Sequence, residues 1–373
     1  MHTSLYDLSP LLRMLLMGLL LAAGPLLWVG LRKRRSAPLG CLHALAVVTL
    51  FLTFDLVLFG AFTRLTDSGL GCPDWPGCYG NATPLGASQA IAVAQTALPT
   101  GPVTAAKAWV EMVHRYLATA VGVLITVLAV AAWLRARAPR RTPVPKPWLA
   151  TASWVWVCIQ GAFGALTVTM KLFPAIVTLH LLGGYLLLAL LTVQTLQLGR
   201  GERTPVPASL RFGMLGALAM LVLQSASGAW VSTNYAVLAC NEFPHCQGSW
   251  WPAMDFGGGF EFWRPLGLGG NGAPISFQAL TAIHYSHRLL AFATVLVLGG
   301  LAWHVKSHDA LRKPFLALSA LLALQVLTGL SNVLLDWPLL AAVLHTGGAG
   351  ALVVVLVWLL VSTSGKRPAT EIF

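Results

Sequence analysis

Nine apolar stretches of about twenty residues leave this 373-residue chain little choice of fold. They run over residues 10–31, 41–63, 109–134, 148–170, 174–198, 209–231, 279–304, 315–336 and 338–361. In hydrocarbon each backbone N–H and C=O must find its partner inside the spanning structure, and runs of this length do so as helices. The expected fold class is therefore all-α and polytopic. Only 10% of the residues are charged and 57% are hydrophobic, against roughly a quarter charged in soluble domains. A soluble chain with a net charge of +12 would point to nucleic acid, but here the basic residues cluster in short segments between apolar runs, and no nucleic-acid partner is expected.

Those clusters carry the topology. Arg32 to Arg35, then Arg135, Arg137, Arg140, Arg141 and Lys146, then Arg200, Arg203 and Arg211 fall on alternate loops. Lys306, Arg312 and Lys313, and finally Lys366 and Arg367, continue on the same side. The positive-inside rule puts that side in the cytoplasm, with the C-terminus, and nine spans then place the N-terminus outside. The expected location is the bacterial inner membrane. The first run contains Arg13 and resembles a signal peptide, but no small-residue cleavage site precedes Arg32, so it reads as a retained extra helix.

Two long loops, about residues 64–108 and 232–278, face the outside on this reading. Each holds a cysteine pair: Cys72 and Cys78 bracket "PDWPG", and Cys240 and Cys246 bracket "NEFPH". Close pairs on an oxidising side read as local disulfides, either as loop staples or as a thiol-exchanging relay. Cys240, His245 and Cys246 match no common zinc spacing. Cys41 and Cys158, in or beside spans, read as small apolar residues.

After the first span the chain repeats itself. Gly164 in "QGAFGALTV" stands sixteen residues before His180, and Gly329 in "QVLTGLSNV" sixteen before His345. Gln160, Gln224 and Gln325 each precede a glycine by four residues (Gly164, Gly228 and Gly329), and Gly60 occupies the matching place in a fourth helix. These pairs read as close helix packing with an interhelical hydrogen bond. The expected organisation is an extra helix and basic loop over 1–40, a first four-helix bundle over 41–200 and a second, pseudo-symmetric one over 201–373.

Each half carries two histidines near the outer start of a helix: His114 and His180, then His287 and His345. Ionisable groups inside a membrane are costly and mark function. Inward imidazoles on facing helices of a bundle are a common way to hold haem; a zinc or copper site and a proton relay are the alternatives. Gly183 and Gly348 each lie one turn beyond a histidine, where a missing side chain would let a flat macrocycle approach. Arg115 and Arg288 read as partners for haem propionates or as snorkelling anchors.

The halves differ at one position. "EMVHR" puts Glu111 one turn before His114, whereas "HYSHR" has His284 there. An acid on that face suits general-base work or stabilisation of developing positive charge; it can also pair with Arg115 four residues on. The first half therefore reads as the reacting site and the second as a permanent electron-passing one.

"GAFTRLTDSGLGCPDWPGC" (residues 60–78), with "EMVHR" and the later His-bearing helices, resembles the heme A synthase family over about residues 45–362. The resemblance implies an eight-helix core and oxidation of the C8 methyl group of haem O to a formyl group, by successive hydroxylations, to give haem A. It also implies Glu111 as catalytic carboxylate, His114 and His180 as substrate-haem histidines, His287 and His345 as axial ligands of haem b, and Cys72–Cys78 as the first-loop pair. Expected partners are a haem O synthase and the haem-copper terminal oxidase under assembly, with homo-oligomers compatible and the electron acceptor open. The extra N-terminal span departs from the eight-helix pattern, and family members differ in whether they carry the Cys240–Cys246 pair. A non-catalytic di-haem cytochrome and a haem transporter are the competing functions.

Overall fold

The computed structural model describes residues 9–33, 38–137, 146–199 and 203–364. Among them, nine helices are long and apolar enough to span a membrane: α1 (Ser9–Lys33), α2 (Pro38–Leu65), α4 (Ala105–Arg137), α5 (Trp148–Thr169), α6 (Pro174–Gly199), α7 (Ala208–Thr233), α9 (Phe277–Val305), α10 (Arg312–Leu334) and α11 (Leu339–Ser362). Two short helices, α3 (Ser88–Ala97) and α8 (Phe256–Gly259), lie in the long loops. Thr204–Pro205 (β1) pairs in parallel with Thr363–Ser364 (β2). The chain is an all-α multi-pass membrane protein. Arg34, Arg35, Arg140, Arg141, Arg200, Lys366 and Arg367, which carry much of the topology argument, lie outside the described residues.

Element ends follow local chemistry. Ser276 caps α9, its Oγ accepting the Ala279 N–H at 3.1 Å, as a hydroxyl does for the orphan donors of a first turn. Helices α5 and α10 both stop at a pair of left-handed residues, Lys171–Leu172 and Asp336–Trp337, and a proline two residues or one residue later starts the next helix. Left-handed backbone costs a non-glycine residue roughly 1–2 kcal/mol. Its recurrence, with the four residues related by the same offset as Gly164 and Gly329, makes the sharp hairpin part of the repeat.

The chain forms two compact units, residues 1–172 and 173–373. In the first, α4 is the central element, packed on α1, α2, α3 and α5. Its buried face includes Ala108, Met112, Leu124, Ile125 and Leu128. The extra helix α1 crosses it closely: a Cβ on Gly18 would stand 2.5 Å from Thr119 Cγ2. In the second unit α7, α9, α10 and α11 pack as a closed ring of four. Helix α6 packs on α7 and α11, where Tyr185 donates its hydroxyl to the Thr346 carbonyl at 2.7 Å and lies against Gly350. Packing therefore assigns α6 to the second unit, whereas the sequence repeat assigns it to the first half.

Replacing Gly18 by Leu is expected to force α1 off α4, at a cost of about 1–3 kcal/mol for overpacking. Gly24→Leu serves as the control, since nothing lies within 4 Å of a Cβ there. Thermal unfolding in detergent checks this: Gly18→Leu should lower the midpoint and Gly24→Leu should not. Equal midpoints would show that α1 does not depend on this contact.

Candidate functional site

The helical period sets Glu111 and Arg115 one turn apart on the same face of α4, and both are buried, at 3% and 8% exposure. Buried charges of this kind must be paired or they cost several kcal/mol. Here Arg115 Nη2 contacts Glu111 Oε1, and Glu111 Oε2 accepts the Cys72 N–H at 2.7 Å. The rest of the guanidinium is turned to the loop: Nη1 donates to the carbonyls of Asp74 (2.9 Å), Pro76 (3.2 Å) and Gly77 (2.6 Å).

The loop is built to receive it. Cys72 and Cys78 are joined in a disulfide. Asp74 accepts the N–H groups of Tyr79 (2.6 Å) and Gly80 (2.8 Å), where the backbone turns through positive φ. Cys78 and Asn81 exchange backbone hydrogen bonds. Gly71 allows the loop to lie on the α4 backbone, because a Cβ there would stand 2.5 Å from Ala108 N and 2.6 Å from Lys107 O. Met112, Met14 and both cysteines share one buried apolar cluster, so α1 contributes to the support of this loop.

The second unit contains the same device. Arg288 Nη1 donates to the carbonyls of Glu242 (2.8 Å) and His245 (3.0 Å), and Nη2 to that of Cys240 (2.7 Å). Cys240 and Cys246 form a disulfide, Glu242 accepts the Gly248 N–H, and Cys246 pairs with Ser249. Positive φ recurs at Gln247 and Gly248. Residue by residue, Cys72-Pro-Asp-Trp-Pro-Gly-Cys matches Cys240-Asn-Glu-Phe-Pro-His-Cys. The exception is the acid: His284 stands where Glu111 does, and its Nε2 lies 3.4 Å from Arg288 Nε. Sequence reading offered propionate pairing or snorkelling for the two arginines and pairing with Glu111 for Arg115; the Glu111–Arg115 pair is present, and loop carbonyls were not among the options. The available signal was the repeated acid–aromatic–proline–x–cysteine string.

Deeper in the same loop region Arg264 is 1% exposed. It donates to Asn234 Oδ1 at 2.6 Å and to the Leu268 carbonyl at 2.9 Å, and it faces the Trp230 ring. Burial pushes its guanidinium down from the ordinary arginine value, and nearby Glu261 opposes the shift.

Three of the four singled-out histidines sit on a glycine of a neighbouring helix. A Cβ on Gly60 would stand 3.1 Å from His114 Cε1, on Gly228 2.9 Å from His287 Cε1, and on Gly329 3.3 Å from His345 Cε1. These glycines are therefore seats for imidazoles, a more specific role than the helix packing expected of them. The Phe59 ring stacks on His114, 8° from parallel. Ser227 Oγ lies 2.8 Å from His287 Nδ1, with Gln224 Nε2 3.2 Å from the same nitrogen. Thr328 Oγ1 lies 3.0 Å from His345 Nδ1. His180 belongs to the second unit with His287 and His345, and His114 to the first. One expectation fails: the space over Gly348, one turn beyond His345, is filled by the Gln325 amide, so helix packing and not a macrocycle explains that glycine. Among the described residues no three of His, Cys, Asp and Glu gather as around a single ion.

Residues 43–357 match the family described as cytochrome oxidase assembly protein, COX15-CtaA. A protein of Shewanella oneidensis named heme A synthase is 37% identical over 315 residues, covering 83% of this chain and 93% of its own. Proteins of the same name from Halalkalibacterium halodurans and Rhizorhabdus wittichii are 25% and 26% identical, over 78% and 87% of this chain and 86% and 95% of theirs.

Arg288→Ala leaves three loop carbonyls without their donor, and Gly71→Ala drives a methyl group into the α4 backbone. Both are expected to expose the corresponding disulfide, Cys240–Cys246 or Cys72–Cys78. The rate at which a water-soluble phosphine reduces each disulfide, read by thiol alkylation and mass spectrometry, should rise at least several-fold for the matching pair only. Unchanged rates would show that the clamp does not hold the loop.

Proposed function

Because the chain belongs to the COX15-CtaA family of cytochrome oxidase assembly proteins, we propose that it acts as a heme A synthase. In this reading it is an oxidoreductase that takes the C8 methyl group of haem O through successive hydroxylations to the formyl group of haem A. The observation that carries the reading is the asymmetry between two otherwise matching loop clamps, with a buried carboxylate, Glu111, in one and His284 in the other. Electron transfer alone gives no reason to bury an acid in one copy only.

The donor set in the second unit fits a resident haem b. His287 and His345 are both half-buried imidazoles on helices of one four-membered ring, each seated on a glycine and each with Nδ1 beside a hydroxyl. A hydroxyl beside Nδ1 suits a ring that offers Nε2 to iron, and on His287 the Gln224 amide nitrogen also lies 3.4 Å from Nε2. A bound haem iron supplies one-electron chemistry there. The substrate haem is assigned to His114, with His180 as its counterpart from its place in the repeat.

The Glu111 carboxylate accepts from Cys72 N and Arg115 Nη2, and the Gly71 N–H also bonds to it. A carboxylate offers about four acceptor sites, so capacity remains for a proton or for positive charge developing on the carbon under oxidation. Arg115 offsets the carboxylate's charge and fixes its position. The disulfide loop supplies the Cys72 N–H and covers the buried ion pair. The same reading places the protein in the bacterial inner membrane with its N-terminus and both loops outside, receiving haem O from a haem O synthase and delivering haem A to a terminal oxidase under assembly.

Glu111→Gln keeps the shape and the hydrogen-bond acceptor while removing the base. After co-expression with a haem O synthase, extracted pigments from the unmodified protein should contain haem A. Those from Glu111→Gln should contain haem O or a hydroxylated intermediate, with at least tenfold less haem A and an unchanged haem b content. A variant with full haem A yield would rule out the carboxylate as the reacting base, and haem O alone from the unmodified, folded protein would rule out the enzyme.

A further inference from the structure

The stretch that follows each disulfide ring is held alike in the two units but filled differently. The fourth residue beyond the second cysteine accepts a tyrosine hydroxyl on its carbonyl in both: Ala82 from Tyr116 of α4, and Trp250 from Tyr285 of α9. In the first unit the stretch reads Asn81-Ala82-Thr83, and in the second Ser249-Trp250-Trp251. The two indoles are 66% and 65% exposed. Adjacent rings of that size left open mark a contact surface.

Their depth follows from Tyr285. Trp251 meets its ring edge-on, with centroids 5.6 Å apart. Tyr285 lies eight residues beyond Phe277, the first residue of α9, and so about 12 Å along the axis. Helix α9 has 29 residues, a length of about 43 Å against about 30 Å of hydrocarbon. Even with all of that excess on the loop side, Tyr285 stands at the hydrocarbon edge. It also heads a stripe on one face of the helix, continued by Leu289, Phe292 and Leu296, all exposed.

The matching face of α4 is covered by a helix instead. Counted from His114 and His287, the residues Met112, Tyr116, Thr119 and Val123 answer to Tyr285, Leu289, Phe292 and Leu296. Met112 and Tyr116 are buried, and α1 crosses with Gly18 against Thr119. Close helix crossings rely on small residues. Phe292 in the place of Thr119 leaves no room for such an approach, and a stripe of large apolar side chains suits acyl chains. The nine residues from Cys246 to Met254 include no charged side chain, and tryptophan favours the boundary between headgroups and hydrocarbon, where its apolar ring and its N–H are both satisfied.

We propose that Trp250 and Trp251 form a membrane foot: they seat in the interfacial layer of the bilayer, above the lipid-facing stripe of α9, and hold the second long loop down on its arginine clamp. The mechanical link is short. The Trp250 ring lies edge-on to His245, with centroids 4.3 Å apart, and the His245 carbonyl is one of the three that receive Arg288. In the first unit α1 packs beside the ring instead, with Met14 in one buried cluster with Cys72 and Cys78, and that loop has no aromatic foot.

The test places a nitroxide label at Trp251→Cys, Phe292→Cys or Ser307→Cys in the full chain carrying Cys41→Ser and Cys158→Ser, reconstituted in phosphatidylcholine nanodiscs. Collisions with oxygen, which concentrates in lipid, are compared with collisions with a water-soluble nickel chelate. The label at position 251 should favour oxygen, as the label at 292 does, whereas the label at 307, an exposed loop residue, should favour nickel. A label at 251 that meets nickel as freely as the one at 307 overturns the inference. So does one shielded from both reagents, the result for a face covered by a second copy or another protein. In the same nanodiscs, Trp250→Ser combined with Trp251→Ser should speed phosphine reduction of Cys240–Cys246 at least several-fold and leave Cys72–Cys78 unchanged. Trp250→Phe combined with Trp251→Phe, which keeps apolar rings, should stay slow. An unchanged rate in the serine pair, or an equal acceleration in the phenylalanine pair, would also overturn it.

Discussion

A guanidinium held by loop carbonyls is the interaction on which both long loops depend. Arg115 and Arg288 start inside apolar helices, where an isolated cation would be far too costly. Each is made tolerable by oxygen atoms that a seven-residue disulfide ring turns inward. The dependence is mutual, because those carbonyls would otherwise be polar groups facing an apolar helix with no donor. In the first unit the carboxylate of Glu111 joins the same network. The group assigned to chemistry is therefore held by the element that shapes the loop.

The two copies show how a duplicated bundle can diverge with few changes. The hairpin turns, the disulfide rings, the arginine clamps and the glycine seats are all kept. What changes is one residue beside the clamp, Glu111 against His284, and one residue beside each seat, Phe59 against Ser227. The scaffold is shared and the differences lie in side chains.

Much of this was legible in the sequence. Nine runs of apolar residues could only be helices, and the observed spans agree with them to within a few residues. The repeat, the histidines, the cysteine pairs and the odd position of Glu111 were visible because each involves a distinctive side chain at a countable spacing. The partners of Arg115 and Arg288 were not visible, since every residue carries a carbonyl and none announces that it will accept. The seating glycines were noticed but assigned only to helix packing, because the imidazole they receive lies on another helix. The packing of α6 on α7 and α11 also escaped, since the repeat describes sequence offsets and says nothing about which faces touch.

The clamp has a consequence for how the chain is made. The carbonyls that receive Arg115 lie 38 to 41 residues before it, and those that receive Arg288 lie 43 to 48 residues before it. In each case the acceptors leave the ribosome first. When the helix bearing the arginine follows, its counterpart has already been made. The order of synthesis thus spares the bilayer an orphan charge, twice in one chain.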